Sequence, residues 1–392
     1  MKLFKTSFVF VKSVFFLLFD STAFLISSTS KQTSRKTILL VRQDAIGDFI
    51  IWLDTAKEYH KLYPPEEYNI VLVGNELWCD LAKEIPYWEQ VIPINNCKFK
   101  TFSRYRWNLL RKIRDLKAEV AIQPTYSREF YHGDSLIRAS DASQKISSVG
   151  DMGNRNCLKK IVTDTWHTKL IPASTQMMAE LERNAEYFTG FQSKKYLPSY
   201  PKMEVSESWE IQELNLEKFY VLSLGADKSY REWPLTSYAE IAELIYEKTG
   251  WTGLICGTEK EGNIGEQIQK ICDAQLEIYA GRTTLQELAW LLSKSKILIS
   301  NETGTAHISS AVGTPTVCIL GGGHFGRFAP YPDLPGQTNN FHSVYHKMAC
   351  YGCNWECVYS LKKNEPAPCV SNISVDAVWE KVEKIIEASE VK

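Results

Sequence analysis

No single sign of charge dominates this 392-residue chain, in which 45 Lys and Arg stand against 46 Asp and Glu. Proteins that grip nucleic acid carry a basic footprint, so the balance argues against nucleic acid as a partner. A bilayer-spanning segment is missing too, since that takes about 20 mostly apolar residues. The run at residues 8–19 is broken by Lys12 and closed by Asp20. There is no Walker-type glycine loop with its lysine. Nor do the ten cysteines form the paired C-x2-C…C-x2-C pattern of a common zinc site. What remains is a globular composition, 44% hydrophobic, in a chain long enough for two domains with substantial cores.

Residues 1–36 stand apart from the rest. Lys2, Lys5 and Lys12 punctuate a run rich in phenylalanine (Phe8, Phe10, Phe15, Phe16, Phe19). This predicts an interfacial helix with phenylalanines toward the acyl chains and lysines at the headgroups. A signal peptide is the other reading. Residues 27–36 then form a polar linker. Because the domains behind it look cytosolic, the protein is expected in the cytoplasm, peripheral at the inner face of the cytoplasmic membrane.

From residue 37 onward, strand and helix alternate, which implies a parallel sheet covered on both faces. Residues 37–42 read as a strand, followed by Gly47, Asp48 and a helix carrying Phe49, Ile50, Leu53, Ala56 and Tyr59. Asp48 thus falls at the carboxyl end of the first strand, where open α/β sheets bind ligands. It is either a helix N-cap or a general base held ionised by the helix end. Further strands are expected at 69–74 and 119–124, and a helix at 173–188. The pattern lapses around 192–208, with Pro198 and Pro201 close together, and marks a domain boundary.

A second α/β unit follows, with strands at 219–224 and 252–256, a helix at 238–249, and exit loops at 225–234 and 257–261. Then comes K-I-L-I-S-N-E-T-G-T-A-H-I-S-S-A-V-G-T-P-T-V-C-I-L-G-G-G at 296–323, a strand, a tight turn, a helix and a strand. The helix starts at Glu302, Thr303 and Gly304 and is stopped by Gly313 and Pro315. Free N–H groups at a helix start, approached over a glycine, make a phosphate site, and His307 in the same turns can donate to a phosphate oxygen. The competing reading is a crossover helix merely capped by Asn301 or Thr303. Arg231 and Glu261, from the two exit loops, are expected to converge on this turn.

Between residues 98 and 117, eight cations face the single acid Asp115, interleaved with Phe99, Phe102, Tyr105 and Trp107. Such a segment holds an anionic acceptor or rests on an anionic membrane, or it is only a solvated helix face. Arg104 and Arg106, with Arg128 beyond, are the candidate acceptor-binding residues.

Four motifs in register, R-Q-D-A-I-G-D at 42–48, G-A-D-K-S-Y-R-E-W-P at 225–234, G-T-E-K-E at 257–261 and N-E-T-G-T-A-H at 301–307, resemble glycosyltransferase family 9, the heptosyltransferase family. The resemblance implies an α/β GT-B fold, two Rossmann-like domains facing a central cleft. Its expected parts are an acceptor domain at 37–195, a linker at 196–215, a nucleotide-sugar domain at 216–345, a Cys-rich loop at 346–371 and a helix at 372–392 crossing back to the first domain. It also implies inverting, metal-independent transfer from a nucleotide-diphosphate sugar to a lipopolysaccharide core or other lipid-linked glycan, by a monomer that needs no catalytic cofactor. Asp48 matches the general base, Arg231 the cation for the diphosphate, Glu261 the ribose carboxylate, and Thr303 and Gly304 the phosphate cradle, with Glu302 counted among the donor-binding residues. His307 and Lys228 complete the donor set. Three residues depart from the family: Glu302 replaces Asp, Arg231 replaces Lys, and Asp54 lies where Pro is frequent. Two other readings are a GT-B-like nucleotide-sugar epimerase and a membrane-docked nucleotide-sugar-binding scaffold without catalysis.

Cys350, Cys353, Cys357 and Cys369 cluster as C-x2-C-x3-C-x11-C. Four thiolates can hold a structural zinc tetrahedrally; a metal-free structural loop is the alternative.

Overall fold

The computed structural model describes residues 2–25, 34–214 and 216–390. Most of the polar linker expected at 27–36, and Asn215 in the linker expected at 196–215, lie outside the described residues. The chain divides into two compact units. One comprises Met1–Ala45, Thr55–Gln176 and Arg183–Leu197; the other comprises Ile46–Asp54, Met177–Glu182 and Pro198–Lys392.

The first unit is built on six parallel strands: β1 (Lys36–Arg42), β2 (Tyr68–Asn75), β3 (Gln90–Ile94), β4 (Val120–Gln123), β5 (Gln144–Ser148) and β6 (Lys169–Ile171). Their order is β3-β2-β1-β4-β5-β6. In the centre, Ile38 pairs with Ile70 on one side and Val120 on the other. The central strands β1, β2 and β4 carry near-continuous apolar, buried runs because helices cover both faces. The second unit repeats the scheme with β7 (Phe219–Ser223), β8 (Thr252–Cys256), β9 (Leu276–Ile278), β10 (Leu298–Asn301), β11 (Thr316–Ile319) and β12 (Phe341–Val344), ordered β12-β11-β10-β7-β8-β9. Counted from its own first strand, each sheet has the doubly wound order 3-2-1-4-5-6. The order reverses between the first and fourth strands, and a crevice opens there at the carboxyl ends. It falls at β1 and β4 in one unit and at β7 and β10 in the other.

The N-terminal helix, Lys2–Phe24, is part of the first unit and packs on the helix Arg104–Asp115. Ser13, Phe16, Asp20 and Ala23 are buried, at the spacing of one helix face. Phe16 stacks on Phe102 with ring centroids 3.9 Å apart, and the buried Asp20 carboxylate takes Arg106 at 2.6 Å. Val11, Val14, Phe15 and Leu18 form an exposed stripe on the same helix. Among the described residues, no helix is long and apolar enough to cross a membrane.

Two elements differ from expectation. The helix expected at 173–188 runs Glu180–Gln192, because Arg183 donates to the carbonyls of Ser174 and Gln176 at 2.8 Å and holds that stretch as a loop. The C-terminal helix Val375–Glu390 was expected to cross back to the first domain. Instead it belongs to the second unit, where Val378, Val382 and Ile386 are fully buried in the core against the helix Leu235–Thr249 and β11. Its apolar stripe is consumed there.

Candidate active site

Within the second unit, the ends of β7 and β10 are tied together by one buried amide. Asn301 Nδ2 donates to the carbonyls of Leu224 and Gly225 at 2.7 and 3.3 Å, and its Oδ1 accepts from the Trp233 N–H at 3.0 Å. This fixes both ends of the 225–234 loop. The helix Gly304–Ala311 starts immediately beyond, with Thr303 as an extended N-cap whose side chain makes no capping bond. Its first-turn N–H groups are the orphan donors of any helix start.

Two glycines bring a second helix start to this one. A Cβ on Gly304 would fall 2.8 Å from Ile46 Cβ, and one on Gly47 would fall 2.7 Å from His307 Cδ2. Neither position tolerates a side chain. The helix Ile46–Leu62 therefore opens against the turn at Thr303 and Gly304, and Asp48 stands in its first turn, half-buried.

His307, expected to donate to a phosphate oxygen, is held inside the fold. It is buried, its Nδ1 lies 2.8 Å from the Tyr331 hydroxyl, and its ring stacks against Tyr331 and Phe341. Burial pushes its pKa down to about 4, so the ring is neutral at pH 7 and acts as the wall behind Gly47. The helix-capping alternative also fails for Thr303, while Asn301 caps nothing and braces loops.

Arg231 is held on two sides. Its Nη2 donates to the Glu302 carboxylate at 2.9 Å and to the Glu302 carbonyl at 3.2 Å, and its guanidinium lies 4.7 Å from the Trp355 ring centroid. Burial raises the Glu302 pKa, with Arg231 pulling against it. Glu261 lies at the start of the helix Glu259–Gln269, where Oε2 accepts from the Thr258 N–H and hydroxyl, both at 2.5 Å. Its Oε1 stands over Gly225, 1.8 Å from where a Cβ would be. Glu261, Arg231, Glu302, Thr303 and Gly304 thus gather around the β7 and β10 ends, with Ile46 and Gly47 against Gly304 and Asp48 next in the same helix turn. Lys228 is exposed and sits 3.8 Å from Asp227.

Two of the three arginines expected to bind the acceptor, Arg106 and Arg128, are a correction. Arg106 is fully buried and spends all its N–H groups: two on Asp20, two on the carbonyls of Phe99 and Tyr131, and one on the Ser135 hydroxyl. Arg128 is likewise buried among Asp134, Asp164, Thr163 and the Ser148 carbonyl. Both are structural, since a buried guanidinium needs its partners. Arg104 is exposed. At the carboxyl ends of β1 and β4 lies a pocket of about 280 Å³, lined by Gln43, Asp44, Gln123, Thr125, Glu129 and His132 among others.

In the Cys-rich loop, Cys350, Cys353 and Cys357 are half-buried and Cys369 is buried. Burial first, and the three neighbouring thiols after it, raise the Cys369 pKa. Among the described residues, no group of three or more His, Cys, Asp or Glu is arranged to hold a metal ion, so the zinc expectation finds no support. The loop is seated by aromatic rings on glycines. Cβ atoms on Gly321 and Gly323 would meet the Trp355 indole, and one on Gly322 would meet Tyr351. Sequence reasoning missed Trp355 and the bracing role of Asn301. The polar residue ending an otherwise apolar strand was the one available signal.

Two parallel sheets of the same doubly wound order place the fold in the α/β GT-B class. The model of glycosyltransferase family 9 (heptosyltransferase) matches residues 152–356, just over half the chain. The chain belongs to that family. It is 30% identical over 134 residues to the lipopolysaccharide core heptosyltransferase OpsX of Haemophilus influenzae, a match taking in 34% of this chain and 37% of the relative. The chain thus spans about a third of the length of that curated relative. The crystal structure of a glycosyl transferase family 9 protein from Veillonella parvula superposes with a TM-score of 0.69 at 16% identity, covering 92% of this chain and all of that one. Escherichia coli heptosyltransferase WaaC with ADP-2-deoxy-2-fluoro heptose gives a TM-score of 0.62 at 15% identity, covering 89% of this chain and 99% of the other.

Proposed function

We propose that the protein is an inverting, metal-independent glycosyltransferase that moves a heptose from a nucleoside-diphosphate donor to a lipopolysaccharide core or another lipid-linked surface glycan. The observation that supports this reading is the close approach of Ile46 and Gly47 to Gly304 and His307, with Asp48 following in the first turn of the same helix. Asp48 takes the proton of an acceptor hydroxyl as that oxygen attacks the anomeric carbon. The bond from that carbon to the diphosphate oxygen breaks, and the nucleoside diphosphate leaves with the electron pair. The new bond forms on the face opposite the leaving group, so the configuration inverts.

Charge developing on the departing diphosphate is met by the amides of the helix Gly304–Ala311 and by Arg231, which Glu302 and Trp355 hold in place. Lys228, on the same exit loop, supplies a second cation, and Glu261 takes the ribose hydroxyls. These groups supply the stabilisation that a divalent cation gives elsewhere. The bound nucleotide sugar of the Escherichia coli relative supports an ADP-linked donor. A peripheral seat at the inner face of the cytoplasmic membrane is supported by the exposed Val11, Val14, Phe15 and Leu18 with the exposed Lys12 among them.

The test is transfer from ADP-β-heptose to a heptose-deficient lipopolysaccharide core, with and without EDTA, reading the anomeric configuration of the product by NMR. An α-linked product formed equally well in EDTA supports the reading. A β-linked product, or loss of turnover on chelation, overturns it.

A further inference from the structure

Leu158, Ile161 and Val162 are exposed on the helix Cys157–Asp164 of the first unit, at the spacing of one helix face. Single apolar residues on a surface need no explanation, but a stripe of them does. A second stripe lies close by. Lys159 Nζ sits 4.3 Å from the Tyr131 ring centroid, and Lys12 Nζ of the N-terminal helix sits 5.6 Å from the same centroid. Farther along, the Arg138 guanidinium lies 5.2 Å from the Trp166 ring centroid and 5.3 Å from that of Phe24. The helices Lys2–Phe24 and Cys157–Asp164 are thus bridged twice and run in the same direction. Val11, Val14, Phe15 and Leu18 on the first, like Leu158, Ile161 and Val162 on the second, lie on the side turned away from the buried residues.

Charge decides what covers this double stripe. Each helix carries one carboxylate, and both are spent within the fold, Asp20 on Arg106 and Asp164 on Arg128 and Lys160. Lys12 and Lys159, in contrast, pair with no carboxylate among the described residues. Arg104, exposed at the start of the helix that packs on Lys2–Phe24, adds a third cation. Apolar stripes flanked by unpaired cations fit an anionic bilayer. The apolar side chains enter the boundary of headgroups and acyl chains to about 5–10 Å, and each lysine at the surface strengthens binding about 5-fold.

We propose that the helix Cys157–Asp164 is a second membrane-contacting element, lying with the N-terminal helix on an anionic bilayer, apolar stripes toward the acyl chains and Lys12 and Lys159 at the headgroup phosphates. The proposal rests on the peripheral-membrane reading of the N-terminal helix and adds to it an element far away in sequence. Two lines of contact, unlike one, fix the tilt of the first unit on the surface.

The test is flotation of the full-length protein with phosphatidylcholine vesicles, with and without phosphatidylglycerol. Leu158→Glu with Ile161→Glu should weaken binding to the anionic vesicles at least about 10-fold, with the melting temperature within about 2 °C of wild type. Lys12→Gln with Lys159→Gln should weaken it by about 10-fold or more on anionic vesicles and far less on phosphatidylcholine alone. Ile271→Glu, at an exposed apolar residue of the second unit, should leave binding unchanged. Undiminished binding of Leu158→Glu with Ile161→Glu overturns the proposal. If Phe15→Glu with Leu18→Glu releases the protein in that same series, the seat on the N-terminal helix stands alone; if the wild type binds neither vesicle, both readings fall. A dimer in sedimentation that Leu158→Glu with Ile161→Glu dissolves would assign the face to a second copy and overturn the proposal as well.

Discussion

Arg231 and Glu302 lie 71 positions apart and meet in the candidate site at 2.9 Å, with side chains 17% and 9% exposed. Each departs from the family motif, Arg for Lys and Glu for Asp, and the structure pairs the two departures with each other. The longer carboxylate reaches the guanidinium that stacks on Trp355, so the substitutions compensate in charge and in reach. Arg231→Ala leaves a nearly buried carboxylate without its cation and should cost about 3–5 kcal/mol by urea unfolding, with donor KM raised and kcat lowered together. Arg231→Lys alone should lose the stack, while Arg231→Lys with Glu302→Asp should recover at least about 1 kcal/mol of that loss as a coupling energy. Strict additivity of the two changes would break this account.

His307 carries a pH prediction. Its folded pKa of about 4 lies below the ordinary 6.5, so between those values the unfolded chain binds the extra proton and stability falls as pH falls. Buried His167, lowered to about 3, acts in the same direction. Each contributes about 1.4 kcal/mol per pH unit near pH 5. His307→Phe, which keeps the stack on Tyr331 and Phe341, should remove about half of the slope contributed by this pair when unfolding is compared at pH 6.5, 5.5 and 4.5. An unchanged slope would contradict the neutral, buried assignment.

At the scale of elements, the Cys-rich loop and the N-terminal helix are the two that local pattern could not place. The loop reads as a metal candidate because thiols are conspicuous, yet what it delivers to the site is the Trp355 ring over Arg231. The N-terminal helix reads as an interfacial helix, yet Phe16, Asp20 and Ala23 are at most 2% exposed, and Asp20 neutralises a buried arginine from another helix. Deleting it would strip Arg106 of its counter-ion and destabilise the first unit. Membrane contact is better tested by Phe15→Glu with Leu18→Glu, on the exposed side. Flotation with anionic vesicles should be lost while the melting temperature stays within about 2 °C, since exposed substitutions change stability by only about 0.5 kcal/mol. Undiminished flotation would move membrane contact to another surface. Central strands were legible from their apolar runs, as at 37–42, 219–224 and 252–256. The edge strands β3, β6, β9 and β12, and β5 beside β6, were not, because they are short and only partly buried; β3, for example, begins on exposed Gln90 and carries exposed Pro93.

At the scale of the molecule, the repeated sheet order follows from strand and helix alternation and the right-handed crossover rule, so the fold class was readable before any coordinates. The residues that gather at the β7 and β10 ends were readable as well, since a glycine at a helix start and the residues leaving a strand carry their meaning locally. The acceptor side was not. Whether a cation binds a ligand or a carboxylate depends on distant partners, and Arg106 finds Asp20 86 positions away.

The central claim is a donor site at the start of the helix Gly304–Ala311 with Asp48 outside donor binding and inside catalysis. The direct measurement is thermal shift with ADP-, UDP-, GDP- and dTDP-sugars on the wild type and Asp48→Asn. Stabilisation at a ligand concentration 100 times Kd is about 2.7 kcal/mol. The account predicts a selective shift with the ADP-linked sugar, equal in both proteins, and a loss of transfer in Asp48→Asn of about 10²-fold or more. No shift with any nucleotide sugar, or unchanged turnover in Asp48→Asn, would contradict it.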